Sequence, residues 1–338
     1  MAPVLTGAGH EVVGLDSGLF EDCTLGRIQA AVPTIHMDIR DVQVDDLRGF
    51  DAVIHLAGLS NDPLGDLNPD LTYDINHRAS VRLARLAREA GVGRFLFASS
   101  CSLYGAGGDD LVTETADFNP VTAYGRSKIM VEQDVAPLAS DQFSPVFLRN
   151  ATAYGASPRL RGDLVVNNFV GVAYTTGRVE IRSDGSPWRP FVHVLDISQA
   201  FLSALEAPRD AIHNEAFNIG QDDENYQIRD VAEMVREAVK GSSIHFAEGA
   251  SPDKRCYRVS FEKARRGLPG FAPVWSVRKG IDQLLESYHR HALTFGDLEG
   301  QRFQRIRHIQ ELLGNGRLDT SLRWTRAGAT RTVEHAAV

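Results

Sequence analysis

The chain has 338 residues, 43% hydrophobic and 24% charged, with a net charge of −8, which excludes a disordered chain, a collagen-like chain and a small disulfide-stapled domain. The acidic balance argues against a nucleic-acid partner, and Cys23, Cys101 and Cys256, widely spaced with no Cys-x-x-Cys, argue against a disulfide framework or a metal site. No apolar run is long enough to span a membrane and no basic-then-apolar leader is visible, so a cytoplasmic protein with no membrane partner is expected.

In chain order, residues 10–16 read as a strand that ends in Asp16. Residues 34–38 and 51–58 read as two more, the latter followed by a loop with Asn61, Asp62 and Pro63. Residues 71–90 have helical spacing, with Leu83, Leu86, Ala87 and Ala90 on one face and Gly91 as a stop. Residues 94–99 form a continuous apolar run typical of a buried strand. A helix over 123–138 ends near Pro137, and a strand follows at 145–149. Strands alternating with helices predict a parallel sheet covered on both faces. The second half is less regular. Helices are expected over 164–176, 228–239 and 276–291, with a loop at 183–190. A tail, 291–338, contains a helix over 301–313 whose arginines (Arg302, Arg305, Arg307) read as a solvated face packing on the body rather than a nucleic-acid patch.

The chemistry is carried by Tyr124-Gly125-Arg126-Ser127-Lys128. With 8 tyrosines and five lysines, chance placement gives only about 0.1 Tyr-x-x-x-Lys pairs. At the start of a helix, positions i and i+4 share a face, so the ammonium lies near the phenol. A nearby cation favours phenolate and lowers its pKa, making Tyr124 a general base toward an alcohol. Ser100 lies 24 residues upstream, within Phe97-Ala98-Ser99-Ser100-Cys101-Ser102-Leu103-Tyr104-Gly105. It sits at the carboxyl end of an expected parallel strand, where open α/β sheets bind ligands, and can hydrogen-bond the same substrate oxygen. Asp16 also ends a strand. A carboxylate there accepts bonds from a ribose diol and repels a 2′-phosphate, favouring NAD over NADP.

With these motifs the chain resembles the extended short-chain dehydrogenase/reductase superfamily, specifically its NAD-dependent nucleotide-sugar epimerase/dehydratase family, over residues 4–290. The resemblance also rests on Asp38-Ile39, His55-Leu56-Ala57-Gly58, Asn76, Leu148-Arg149 with Tyr154-Gly155, Arg189-Pro190-Phe191-Val192-His193-Val194-x-Asp196 and Phe217-Asn218-Ile219-Gly220. It implies an α/β fold with a doubly wound, Rossmann-like parallel sheet and a smaller C-terminal substrate domain. Residues 1–163 and 191–220 would bind NAD, 164–190 and 221–290 the substrate, and 291–338 would form a helical tail. The family's first strand and its glycine-rich phosphate loop are missing from the pattern. Residues 1–9 match the back half of the helix that follows that loop, so an internal methionine at the start is expected.

By the same resemblance, Tyr124, Lys128 and Ser100 are catalytic. Asp16, Asp38, Ile39, Leu56, Ala57, Gly58, Asn76 and Lys128 hold NAD. Asp38 and Ile39 would take the adenine, Leu56 to Gly58 would pass under the pyrophosphate and nicotinamide ribose, and Lys128 would bond that ribose. Ser102, Asn168, Arg189 and Arg255 would bind the nucleotide-diphosphate sugar, Arg255 within Asp253-Lys254-Arg255-Cys256-Tyr257. Ser100-Cys101-Ser102 stands where the family's 4,6-dehydratases carry Thr-Asp-Glu, which disfavours dehydration, and Thr152 replaces a frequent Asn. The expected function is NAD-dependent epimerisation by a homodimer, a sugar hydroxyl, expected to be that at C4, being oxidised with Tyr124 as base and hydride returned to the opposite face. The alternatives are an NAD(P)H-dependent keto-sugar reductase and a non-catalytic nucleotide-binding protein without the phosphate loop.

Overall fold

A computed structural model describes residues 1–28, 32–60, 68–247 and 255–325. In chain order the first elements are α1 (Ala2–Gly7), β1 (Gly14–Asp16), β2 (Thr34–His36), β3 (Ala52–His55), α2 (Pro69–Thr72), α3 (Ala79–Glu89), β4 (Arg94–Ser100), β5 (Ala106–Val112) and α4 (Ala123–Val135). Then come β6 (Ser144–Asn150), β7 (Thr152–Tyr154), α5 (Val165–Thr176), β8 (Arg178–Ile181), β9 (Trp188–His193), α6 (Val194–Glu206), α7 (Arg209–Ile212) and β10 (Glu215–Ile219). The chain continues through β11 (Asn225–Gln227), α8 (Ile228–Ala238), β12 (Ser243–Phe246), β13 (Cys256–Val259), α9 (Glu262–Gly267), α10 (Val277–Arg290), α11 (Phe295–Glu299) and α12 (Arg305–Gly314).

The central sheet is parallel, in the order β10-β6-β4-β3. Side chains on β4 alternate between its faces. Leu96 enters a core with Val146, Leu148, Phe201 and Phe217, whereas Phe95 and Phe97 enter another with Val131, Val135, Phe143 and Phe147. Both faces are therefore covered, as a doubly wound parallel sheet requires. A third core gathers Phe169, Val170, Val231, Val235, Ile281 and Leu284 from α5, α8 and α10. Smaller ladders join β11-β9-β7, β12-β8 and β13-β5.

β1 and β2 stand as a separate parallel pair. Among the described residues no strand lies between this pair and β3, in keeping with the missing first strand of the pattern. The expected strand 10–16 shrinks to Gly14–Asp16 because its ladder with β2 spans only Gly14↔Thr34 to Asp16↔His36. The expected helix 71–90 is three pieces: α2, a π-helical turn at Tyr73–Arg78, and α3. The expected loop 183–190 gives Trp188, Arg189 and Pro190 to β9, where Arg189 pairs with Tyr226 and Trp188 with Gln227. No described helix is long and apolar enough to cross a membrane, and among the described residues no group of side chains could hold a metal ion.

Candidate active site

The first turn of α4 begins because the Thr122 side chain caps it, accepting a bond from Gly125 N at 3.1 Å. This sets Tyr124, half-buried, and Lys128, buried, on the face turned to β4. Lys128 Nζ donates to the Ala98 carbonyl at 2.7 Å, stands 4.5 Å from the Phe97 ring centre and 5.6 Å from that of Tyr124. Burial lowers the Lys128 pKa to about 8, against the pull of Glu132 one turn further along. Its charge reaches His55 as well. Burial and Lys128 together hold that imidazole at about 3, and its Nε2 bonds Ser80 Oγ at 2.7 Å.

Ser100 closes β4 and caps the short 3-10 turn that follows, its Oγ accepting from Ser102 N at 3.2 Å. The expected substrate residue Ser102 has a buried Oγ with no hydrogen-bond partner in the structure, and so does Asn150 at its Oδ1. Asn150 is the register partner of Ser100 on β6. It carries no motif spacing and was not expected in the site. Neighbouring Ser99 donates to Glu132 Oε1, and Glu132 pairs with Arg149 at 2.6 Å between Oε2 and Nη2. This buried pair locks α4 to β4 and β6 behind the face that carries Tyr124 and Lys128.

Asn76 sits in the π-helical turn, a distortion common at functional sites. Its Oδ1 accepts from Leu59 N at 2.7 Å, and its Nδ2 donates to Leu59 O at 3.0 Å and to Ser127 Oγ at 3.4 Å. It thereby fixes Leu56-Ala57-Gly58, the segment after β3, against α4. Gly58 has φ +154°, and a Cβ there would approach Asn76 Oδ1 to 2.9 Å, so any side chain would push the two apart.

At the ends of β1 and β2 the expected residues line up along the same carboxyl edge. Asp16 is exposed, with Oδ1 accepting from Gly18 N at 2.7 Å. Asp38 is tied to Arg40 by bonds of 2.6 and 3.0 Å. Burial opposes its ionisation, but the Arg40 hydrogen bonds and charge outweigh this and hold it below the usual carboxylate range. Ile39 is buried in a cluster with Leu59, Leu71 and Ile75.

The expected diphosphate residues are more engaged. Arg189 is buried, donates to the carbonyls of Trp188 and Arg255, and stacks 5.3 Å from the Tyr257 ring centre. Asp253 and Lys254 lie outside the described residues. Asn168 Nδ2 donates to Gly162 O at 3.0 Å and to Glu299 Oε1 at 2.7 Å. A cation not expected from sequence feels the charge of the tyrosine. Arg161 is bonded to Asp163 at 2.7 Å and to Ser60 Oγ at 2.9 Å, and Tyr124 contributes to its electrostatic environment. It lies on a loop with no periodic pattern, so only the fold reveals it.

A profile of the NAD dependent epimerase/dehydratase family matches residues 1–220. The chain is 28% identical over 318 residues to a UDP-glucose 4-epimerase of Neisseria meningitidis, covering 84% of this chain and 90% of that protein. A UDP-glucose 4-epimerase of Bacillus subtilis is 28% identical over 256 residues, covering 70% and 73%. The structure of MoeE5 in complex with UDP-glucuronic acid and NAD superposes with a TM-score of 0.73 at 25% identity, covering 86% of this chain and 94% of MoeE5.

Proposed function

The chain belongs to the NAD-dependent epimerase/dehydratase family and is an enzyme of that family, and from this premise we propose that it inverts C4 of a nucleotide-diphosphate sugar. The observation that carries the reading is a buried Lys128 ammonium one helical turn beyond Tyr124, facing the end of β4 where Ser100 stands.

NAD is the cofactor, and the residues present fit its two ends. In this reading the exposed carboxylate of Asp16 takes the adenosine ribose and Asp38-Ile39 flank the adenine. The backbone of Leu56-Ala57-Gly58, braced by Asn76, runs beneath the central part. Lys128, which has three donors and uses one on Ala98 O, reaches the nicotinamide ribose. The buried Ser102 Oγ and Asn150 Oδ1, without hydrogen-bond partners next to the end of β4, support a polar ligand there in this reading. Among the described residues no glycine-rich turn lies between β1 and β3, so no such turn is assigned to the pyrophosphate.

When bound, NAD supplies the acceptor and donor of hydride at the sugar carbon. Tyr124 as phenolate takes the proton of the sugar hydroxyl, and the Lys128 charge stabilises that phenolate. Ser100 hydrogen-bonds the oxygen as it loses its proton. On return the Tyr124 hydroxyl gives the proton back. Arg189 and Arg255 hold the diphosphate in this reading, and residues 164–190 with 221–290 form the substrate domain. A homodimer is the expected assembly, which sedimentation checks. The test is Tyr124→Phe assayed for interconversion of UDP-galactose and UDP-glucose. A loss of at least ~10³-fold is expected, with the NAD released on denaturation unchanged. Near-normal turnover would refute the assignment.

A further inference from the structure

The tail does more than cover the body. From Arg302 to Trp324 it crosses the carboxyl ends of β1 and β2 and binds both of the loops that follow them. On the β1 side, Arg302 Nη2 donates to Thr24 O at 2.7 Å, His308 Nε2 bonds Leu19 O at 2.8 Å, and Trp324 Nε1 donates to Ser17 O at 2.6 Å. The Arg305 guanidinium lies 3.7 Å from the Phe20 ring centre. On the β2 side, Arg40 donates to Ser321 O at 2.8 Å and Arg323 pairs with Asp41 at 2.5 Å. Underneath, Ile309, Leu312, Leu318 and Leu322 share one core with Ile39, Leu59, Leu71 and Ile75, and Trp324 packs at its edge with Leu15 and Ala57.

The end of the tail is built to hold this shape. Leu318 and Trp324 form an antiparallel bridge. Asp319 Oδ1 accepts from the backbone of Ser321 and Arg323 at 2.8 and 3.0 Å. The turn so made anchors on the carbonyl next to Asp16 and on the arginine that grips Asp38. Yet Asp16 remains exposed beneath it, and Leu56 is 48% exposed. The turn therefore stands beside the groove rather than in it.

We propose that residues 317–325 are a strap forming the outer wall of the adenosine end of the cofactor site, holding the Ser17 and Arg40 loops at the spacing an adenosine group needs. The proposal rests on the NAD reading of that edge. It assigns Trp324, Arg323 and Ser321 a positioning role that acts through Ser17, Asp41 and Arg40.

Hydrogen exchange of the unaltered full chain tests it, with NAD, ADP-ribose and nicotinamide mononucleotide as probes. NAD and ADP-ribose, which share the adenosine half, should slow exchange in 317–325 and in 16–24 together by roughly fivefold or more. Nicotinamide mononucleotide should leave 317–325 unchanged. Trp324→Ala should release NAD about tenfold faster, with the thermal midpoint recorded to separate unfolding from loosening. If NAD binds and protects 56–59 while 317–325 is unmoved, the strap is overturned and the NAD reading stands. If NAD speeds exchange in 317–325, the segment is a displaced plug and the strap is overturned. If no probe binds, both fall.

Discussion

The two parts of the sheet are built to different standards. β4 and β6 pair over seven residues, from Arg94↔Ser144 to Ser100↔Asn150; most side chains on them are buried and none is exposed. β1 and β2 pair over three, and all three residues of β2 are exposed. Ile35 on β2 is 37% exposed, where a doubly wound sheet would cover it. β1 and β3 belong to separate ladders and do not pair, although Leu15 and Val53 pack on the same core. The proposed chemistry (Tyr124, Lys128, Ser100) stands on the well-built part. The proposed adenosine contacts (Asp16, Asp38) stand on the lightly built part, which the tail braces from outside. Geometry for proton transfer is thus held by packing and a buried ion pair, and geometry at the far end of the cofactor groove by a few surface bonds.

The largest effect should come from breaking the well-built part at Glu132. Glu132→Ala leaves the Arg149 guanidinium buried without its carboxylate and removes the acceptor of Ser99. Losing one member of a buried pair costs about 3–5 kcal/mol. Urea unfolding should show that loss, with Lys128 and Tyr124 displaced and turnover reduced accordingly. A cost under about 1 kcal/mol, the surface-pair range, would erase the contrast between the two parts.

The next effect is a pH dependence. Burial lowers His55 to about 3 and His193 to about 4. Both are neutral in the folded state, whereas their unfolded counterparts gain a proton below about 6.5. Stability from these two is complete above about 6.5 and is lost as pH falls toward 4, at up to about 1.4 kcal/mol per pH unit for each. His55→Gln should flatten the acid limb of the unfolding curve. Lys128 works in the opposite direction on activity. Its folded pKa of about 8 lies below the ordinary lysine value, so the ammonium that supports the Tyr124 phenolate is lost as pH rises through about 8. Turnover should decline there, and an activity still climbing at pH 10 would remove Lys128 from its proposed role. Because the buried ammonium is itself unfavourable, its contribution to global stability should rise between about pH 8 and the unfolded lysine value, by the same linkage as for the histidines.

The same contrast explains what could be read in the sequence. The strands at 94–100 and 144–150 and the helices at 123–135, 165–176 and 228–238 fall close to their expected places, because each has enough buried residues to show a period. β1 was legible only as a longer run, since Val12 and Val13 continue its apolar character but have no ladder partner. β8, β12 and β13, of four residues each, and the seven-residue β5 show no period of their own because each pairs with a segment distant in sequence. Tyr124, Lys128 and Ser100 were legible from spacing. Asn150, Arg161 and Glu132 were not, because their positions follow from strand register and loop packing rather than from a motif. The tail reads as a solvated helix face packing on the body, and it does pack there, but the partners of its arginines are not legible: Arg305 stacks on Phe20 and Arg302 bonds the Thr24 carbonyl, contacts between residues nearly 300 apart in sequence.

Core truncations should sharpen the comparison further. Leu96 is fully buried between β3 and β6, so Leu96→Ala should cost about 2–5 kcal/mol. Leu15, half-buried on β1, meets partial solvent already, so Leu15→Ala should cost clearly less. Equal costs would mean that the β1–β2 pair is as firmly held as the central sheet.

The smallest effect concerns the Arg323–Asp41 pair, whose side chains are 38% and 53% exposed. At that exposure water screens the charges, and a double-mutant cycle with Arg323→Ala and Asp41→Ala should give a coupling of only about 0.2–1 kcal/mol in global unfolding. Local opening is a different quantity. The loop after β2 carries no buried strand beyond His36, so a bond worth little to the whole chain can be a large share of what closes that loop. Amides at 38–41 should therefore exchange faster in Arg323→Ala by several-fold while those of β4 and β6 keep their rates. Uniform acceleration across all three segments would mean that the tail stabilises the whole sheet, and the division between a packed half and a strapped half would not hold.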